Sequence, residues 1–195
     1  MELEQVKQDI ENWIINFVEV PHPALGGFPP CPFARQARIK RSFEVYLGTD
    51  PYYDLKNRAR YGMGNQVVII YVYNPQEWPH EIFAASIESA NTEHLLHADI
   101  LALEDHPDDV ENVNGVIMNQ GQYAMALVQS LSDLNAKAKI MANKGFYDAI
   151  VSAMANTHVK IISISWGAPE YAFGLTSAQS YNTLFQNIYN IILLI

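Results

Sequence analysis

Cysteine is almost missing from this chain. Cys31 is the only one among 195 residues, so an internal disulfide cannot form and a zinc site with four cysteine ligands is excluded. The N-terminal residues, MELEQVKQDIENW, are acidic and amphipathic and do not have the pattern of a signal peptide. Both observations are typical of a reducing compartment, and we expect a soluble cytoplasmic protein.

Positive charge and long hydrophobic runs are also scarce. Lys and Arg number 12 against 21 Asp and Glu, which gives a formal net charge of −9. An acidic surface repels phosphate backbones, so we expect no nucleic-acid partner. Apolar runs do not reach the ~20 residues that a membrane-spanning helix needs, so we expect no membrane partner.

Hydrophobic residues, in contrast, make up 49% of the sequence, which is enough for a packed core. Their spacing alternates between helical and strand periods, with proline or glycine at the changes. The pattern predicts an α+β or α/β fold, with a single mixed β-sheet flanked by helices. The predicted helices cover residues 3–19, 51–61, 79–91, 120–143 and 177–194, and the predicted strands cover residues 38–47, 66–73, 97–103, 114–118 and 159–165.

The stretch Gly27–Arg35, GFPPCPFAR, places the single thiol between prolines. Proline fixes φ, so Cys31 is expected in a stiff loop outside helix and sheet. If a helical turn begins at Ala34, its N-terminus and the Arg35 guanidinium would lower the thiol pKa. Cys31 and Arg35 are therefore the candidate catalytic residues. The alternative is a buried cysteine that fills a gap in the core.

A second group of candidate residues could bind a metal ion. His94, His97 and Asp99 lie close in sequence, and His106 follows in the acidic run of residues 104–109. Histidine nitrogens and carboxylate oxygens are common metal ligands, but the spacing is not that of a zinc peptidase. The alternative is that the acidic run forms a solvated loop. The residues do not indicate a particular cofactor or oligomeric state.

Residues 8–147 resemble a family of small, uncharacterised bacterial proteins. The residues that carry this resemblance are Trp13 in the first helix and the segment Cys31-Pro32-Phe33-Ala34, followed by the pair His106-Pro107. The resemblance implies an α/β domain over residues 1–147, and it brings no established activity. The stretch PHPALGGFPP before the cysteine is longer than the loop expected for that family.

Residues 143–195 are similar to part of the sedolisin core, the subtilisin-like fold of the serine-carboxyl peptidases. The segment SISWG at residues 163–167 carries this likeness. It implies a strand and helix, which we expect as an extension over residues 148–195 packed on the same domain. The Gly-Thr-Ser motif of the nucleophile is missing, and His97 stands where the aspartate of the Glu-x-x-x-Asp pair would follow Glu93. The likeness therefore implies no peptidase activity.

Three hypotheses about function remain open at this level. The first is a small-molecule or thiol site at the Cys31 loop. The second is a noncatalytic interaction module, which would expose an apolar patch around Phe28 and Phe33. The third is a peptidase-like remnant or a truncated fragment without the catalytic serine. The sequence leaves undecided whether the protein is an enzyme.

Overall fold

The computed structural model describes residues 1–110, 112, 113 and 115–144. The helices of this part are α1 (Leu3–Trp13), α2 (Ala34–Ile39), α3 (Pro51–Tyr61), α4 (His80–Ala90) and α5 (Leu131–Ala142). The strands are β1 (Phe43–Leu47), β2 (Val68–Tyr73), β3 (Ile100–Asp105), β4 (Asn112–Val113), β5 (Val116–Ile117) and β6 (Ala124–Ser130). Among these residues no helix is both long and apolar enough to span a bilayer.

Four strands form one mixed sheet in the order β1-β2-β6-β3, while β4 and β5 form a small separate hairpin. Strand β1 runs parallel to β2, and β6 runs antiparallel to both β2 and β3. Residues Ile69–Tyr73 of β2 are all buried, as expected for an apolar, β-branched strand covered on both faces. The predicted fold class, a single mixed sheet flanked by helices, is confirmed as α+β.

Helices cover both faces of this sheet. On one face α3 and α4 bury Leu55, Phe83 and Ile87 against β2, β3 and β6. On the other face α1 places Val6 and Ile10 against β1, β2 and β6. Helix α1 continues into a π-helical turn, Ile14–Val18, so that the predicted helix over residues 3–19 is confirmed.

The start of α3 follows the sequence signal. The Asp50 carboxylate accepts a hydrogen bond from the Tyr53 amide at 3.0 Å, and Pro51 occupies the first helical position. The helix ends at Gly62, whose φ of +67° lies in the left-handed region that glycine tolerates best. The predicted bounds of this helix are therefore confirmed.

The predicted helix over residues 120–143 is wrong in its first half. Residues Ala124–Ser130 form β6, the strand between β2 and β3, and α5 begins only at Leu131. The run AMALV contains good helix formers, but its backbone hydrogen bonds go to strands on both sides, and this tertiary pairing overrides the local preference. The Ser130 hydroxyl accepts a hydrogen bond from the Asp133 amide at 3.2 Å and so caps α5.

Smaller differences occur at other boundaries. The predicted strand over residues 38–47 begins only at Phe43, because Ala34–Ile39 is helical. The predicted strand over residues 97–103 is shifted to Ile100–Asp105, because a 3-10 turn at Leu96–Ala98 precedes it. The predicted strand at 159–165, the helix at 177–194 and the extension over 148–195 lie outside the described residues.

Asn91 binds the backbone of β3 on the side away from β6. Within the described part of the chain β3 pairs with β6 alone, and on its other side the Asn91 side chain forms two hydrogen bonds with the Ala102 backbone. Its oxygen accepts from the Ala102 amide at 2.9 Å, and its nitrogen donates to the Ala102 carbonyl at 2.8 Å. The side chain thus satisfies the backbone groups that a further strand would otherwise pair.

We expect Asn91→Ala to lower the free energy of unfolding by about 2 kcal/mol, since two hydrogen bonds of ~1 kcal/mol each are lost at a half-buried position. Urea denaturation measures this change. Asn57→Ala, at an exposed position of α3, is the matched control and should have little effect. Equal stabilities of the two variants would contradict this role of Asn91.

Candidate functional site

A cavity of about 210 Å³ lies over the sheet face that α1 covers. Its floor consists of side chains from the four strands of the main sheet, and its walls come from the end of α1, the Cys31 loop, α2 and α5. Residues of the floor include Phe43, Ile70, Leu103, Asp105, Leu127 and Gln129, and residues of the walls include Trp13, Phe17, Cys31, Ala37, Leu134 and Ala138.

The strand register explains why these floor residues meet. Side chains two positions apart point to the same face of a sheet. Leu103 pairs with Leu127 across β3 and β6, and Asp105 pairs with Met125. Met125 belongs to the hydrophobic cluster under α1. The alternation therefore places the Asp105 carboxyl on the same face as Leu103, Leu127 and Met125.

Cys31 lies in the wall of this cavity, as a half-buried residue. Its amide donates to the Val18 carbonyl at 2.9 Å, which ties the loop to the end of the π-helical turn. Burial raises the pKa of the Cys31 thiol, against smaller lowering effects of the Phe33 and Ala34 amides and of the Lys137 ammonium. The sequence-based expectation of a lowered thiol pKa is thus wrong, because desolvation outweighs the start of α2.

The catalytic role predicted for Arg35 stays a prediction. The residue is exposed on α2, and its charge acts on Glu19. Glu19 forms a bidentate ion pair with Arg38, at 2.7 and 2.9 Å. The cation that acts on the Cys31 thiol is Lys137 of α5, which also lies 5.7 Å from the centre of the Phe33 ring.

Slow alkylation of native Cys31 follows from this environment. At pH 7.5 we expect iodoacetamide to label the folded protein at least about tenfold more slowly than the urea-unfolded chain, because burial restricts access and disfavours the thiolate. Mass spectrometry of timed samples measures both rates. Faster labelling of the folded protein than of the unfolded chain would instead support the sequence-based prediction of an activated Cys31 thiolate.

Asp105 is the most unusual polar group of the cavity. The residue is only 9% exposed, and its Oδ1 has no hydrogen-bond partner within the described residues. Burial raises the pKa of this carboxyl to about 7, and the negative charges of Asp109 and Glu104 add to the effect. The group therefore exchanges between its neutral and ionised forms near neutral pH, and it can accept a hydrogen bond from a ligand.

Trp13 supplies a polar group of the opposite kind. Its ring lines the same cavity, and its buried Nε1 donor is likewise without a partner in the described part of the chain. Buried polar groups are normally hydrogen-bonded, so an unsatisfied donor and acceptor at one cavity are unusual. A bound molecule with polar groups of its own could satisfy either one.

Two of the residues predicted as metal ligands, His94 and Asp99, are engaged in other contacts. The His94 Nε2 lies 2.9 Å from the Tyr52 hydroxyl. Asp99 accepts from the Ser132 amide and hydroxyl at 3.0 and 2.6 Å, and these hydrogen bonds lower its pKa. His97 is exposed in the 3-10 turn.

His106 is fully buried, and both of its ring nitrogens are used. Nδ1 accepts from the Asp108 amide at 3.1 Å, and Nε2 lies 3.0 Å from the Trp78 carbonyl. Because Nδ1 accepts a hydrogen bond and Nε2 contacts a carbonyl, neither ring nitrogen has a free lone pair for a metal.

A different set of residues meets the geometric requirement of a cation site. His80, Glu104 and Asp109 place one ligand atom each within 4.8 Å of the others, and among the described residues this is the one such group. The His80 Nε2 lies 3.9 Å from Glu104 and 4.0 Å from Asp109. These residues could hold a divalent ion. A protonated His80 could equally neutralise both carboxylates.

Sequence reasoning missed Asp105, Lys137 and Trp13 as residues of the site. A usable signal existed for Asp105, which stands two and four positions after Leu103 and Leu101 and so continues the apolar face of a strand. No comparable signal marks Lys137, because the helix that carries it was expected to begin eleven residues earlier, at residue 120.

Comparison of the chain with protein-family models, with curated proteins and with solved structures finds no match.

Proposed function

We propose that this protein binds a small molecule in the cavity beside the Cys31 loop. The cavity of about 210 Å³ carries the proposal, because it is lined mainly by apolar side chains with a few polar groups among them. Ligand sites usually have this composition. The volume exceeds the ~150 Å³ that accepts benzene in an engineered protein core and falls below the ~300 Å³ of drug-sized pockets. A compact ligand with about one ring is therefore the expected occupant.

The Cys31 thiol serves such a site better as part of the wall than as a nucleophile. Its pKa is raised by burial, so the neutral thiol dominates at neutral pH. A neutral sulfhydryl is a small, polarisable surface that packs well against an apolar ligand. Binding is accordingly favoured over thiol chemistry as the role of this loop.

The alternative of an interaction module receives less support. It would present Phe28 and Phe33 as an exposed apolar patch, whereas both are half-buried. Phe33 lines the cavity and lies beneath the Lys137 ammonium. The third hypothesis, a peptidase-like remnant, depends on residues outside the described part of the chain and stays a prediction.

Filling the cavity tests the proposal. We expect toluene to bind the protein with a dissociation constant of about 1 mM or lower, since roughly 0.6 kcal/mol for each of about seven non-hydrogen atoms gives ~4 kcal/mol. Ala138→Phe places a ring in the cavity and should abolish this binding. Ala136→Phe makes the same change at an exposed position of α5 and should preserve it.

Ligand-observed NMR measures toluene binding directly, and the thermal unfolding midpoint gives a second reading, because a ligand of the folded state raises it. Absence of toluene binding to the unsubstituted protein would overturn the proposed function. Equal binding by the Ala138→Phe variant would overturn it as well, because the probe would then occupy another place.

A further inference from the structure

The acidic end of the cavity is formed by the last residue of β3. Asp105 follows Leu103 on the same face of the sheet and pairs with Met125 of β6. Gly121 approaches the carboxyl from the loop before β6, where an added Cβ would lie 3.9 Å from Oδ1. The Asp105 side chain is thus largely shielded from water.

The contacts of the described residues leave one oxygen of the Asp105 carboxyl unpaired. Oδ1 has no hydrogen-bond donor within the described residues, although the residue is nine-tenths buried. Native proteins pair nearly all buried polar atoms, and an exception at a cavity is a reason to look for a ligand. In its ionised form the carboxyl only accepts hydrogen bonds, so the partner that this form lacks is a hydrogen-bond donor.

The surrounding charges determine which kind of donor fits. Asp109 and Glu104 act on Asp105 with negative charge. His80 is the basic group near these acids, at 3.9 and 4.0 Å. Lys137, which also lines the cavity, is paired with Asp133. The carboxylates of Asp109 and Glu104 therefore favour a positively charged donor at Asp105 over a neutral one.

We propose that the cavity binds a small amine whose apolar body lies on the floor formed by Leu103 and Leu127 and whose ammonium group donates a hydrogen bond to the Asp105 carboxylate. This inference rests on the proposed function and specifies its ligand class. An ammonium supplies both the missing donor and the missing positive charge, and charge-assisted hydrogen bonds are stronger than neutral ones. An alkyl or aryl body matches the apolar side chains around it.

Benzylamine and toluene form a matched pair of probes, because they share one ring and differ in the aminomethyl group. At pH 8 we expect benzylamine to bind about tenfold more tightly than toluene. Asp105→Asn keeps the shape of the side chain and removes its charge. In this variant benzylamine and toluene should therefore bind about equally tightly. Asp108→Asn removes the same charge from a side chain that is 74% exposed, and it should keep the preference.

The outcomes separate the two proposals. Tight, Asp105-dependent binding of benzylamine supports both. Binding of toluene without any preference for benzylamine overturns the amine inference and leaves the ligand-binding function standing. A preference that survives Asp105→Asn overturns the assignment to this carboxyl. Failure of both probes to bind overturns the proposed function, and the amine inference with it.

Discussion

Replacing Gly48 by alanine is expected to lower the free energy of unfolding by about 3 kcal/mol, at the upper end of the usual cost of overpacking. A Cβ added at Gly48 would lie 2.1 Å from Cε1 of Tyr73. The Tyr73 ring is 1% exposed and packs edge-to-face on Phe83 at 5.4 Å between ring centres. The Gly48 amide donates to the Val72 carbonyl at 2.9 Å, so neither the ring nor the backbone can move away freely.

Two further variants identify the steric cause. Gly64→Ala changes a glycine with open space around it and a φ of +59°, and left-handed strain alone should cost about 1 kcal/mol there. In a Tyr73→Leu background the smaller side chain should reduce the cost of Gly48→Ala to less than about 1 kcal/mol. Urea denaturation of all variants measures these values. Equal losses of unfolding free energy in Gly48→Ala and Gly64→Ala would refute a specific steric contact between the added Cβ and Tyr73.

Asp105→Asn is expected to stabilise the protein at pH 8, by about 3 kcal/mol. The pKa of this carboxyl is raised by burial from 3.8 to about 7 in the folded state. Between these values the folded protein holds a proton that the unfolded chain has lost, so stability falls as pH rises through this window. The full linkage is roughly 4 kcal/mol at ~1.4 kcal/mol per pKa unit, and some relaxation around the ionised group reduces it. Asparagine does not ionise and avoids the loss.

Urea denaturation at several pH values tests whether ionisation of Asp105 lowers the free energy of unfolding. The difference in stability between Asp105→Asn and the unsubstituted protein should be small near pH 4, grow up to about pH 7 and remain constant above it. Asp108→Asn, at an exposed position, should show no such trend. A difference that does not change with pH would mean that Asp105 is not held in an environment that opposes its charge.

The two expected effects of Asp105→Asn point in opposite directions. The substitution should stabilise the fold and should also remove the preference for an amine. A residue that lowers stability while it serves binding is typical of functional sites. Together the two measurements distinguish a working carboxyl from one that merely tolerates its buried position.

Local patterns account for the parts of the fold that were predicted correctly. Strand β2 is continuous in β-branched and aromatic residues, and α3 begins with Asp50 and Pro51. Each of these signals acts within a few residues of the chain, so it can be recognised without knowledge of the partners. The Cys31 loop was located in the same way, because proline restricts its own backbone and that of the preceding residue.

The candidate site was predicted only in part, because its residues meet through the sheet. Cys31 does line the cavity, but its pKa depends on burial by α1, α2 and the sheet, which no local signal reports. The sequence pattern suggests that Glu104 and Asp105 belong to an acidic, solvated loop. They instead end β3, where pairing with β6 buries Asp105.

Local sequence patterns are enough to predict the fold class, the restricted backbone around the single cysteine and the acidic character of the chain, because composition, proline and periodicity act within short segments. The tertiary structure, by contrast, makes Ala124–Ser130 a central strand, raises the pKa of the Cys31 thiol by burial, and leaves Asp105 Oδ1 without a hydrogen-bond partner among the described residues. The physical reason is the same in each case. Strand pairing and desolvation depend on residues distant in sequence, and these long-range terms outweigh the local preference of a short segment.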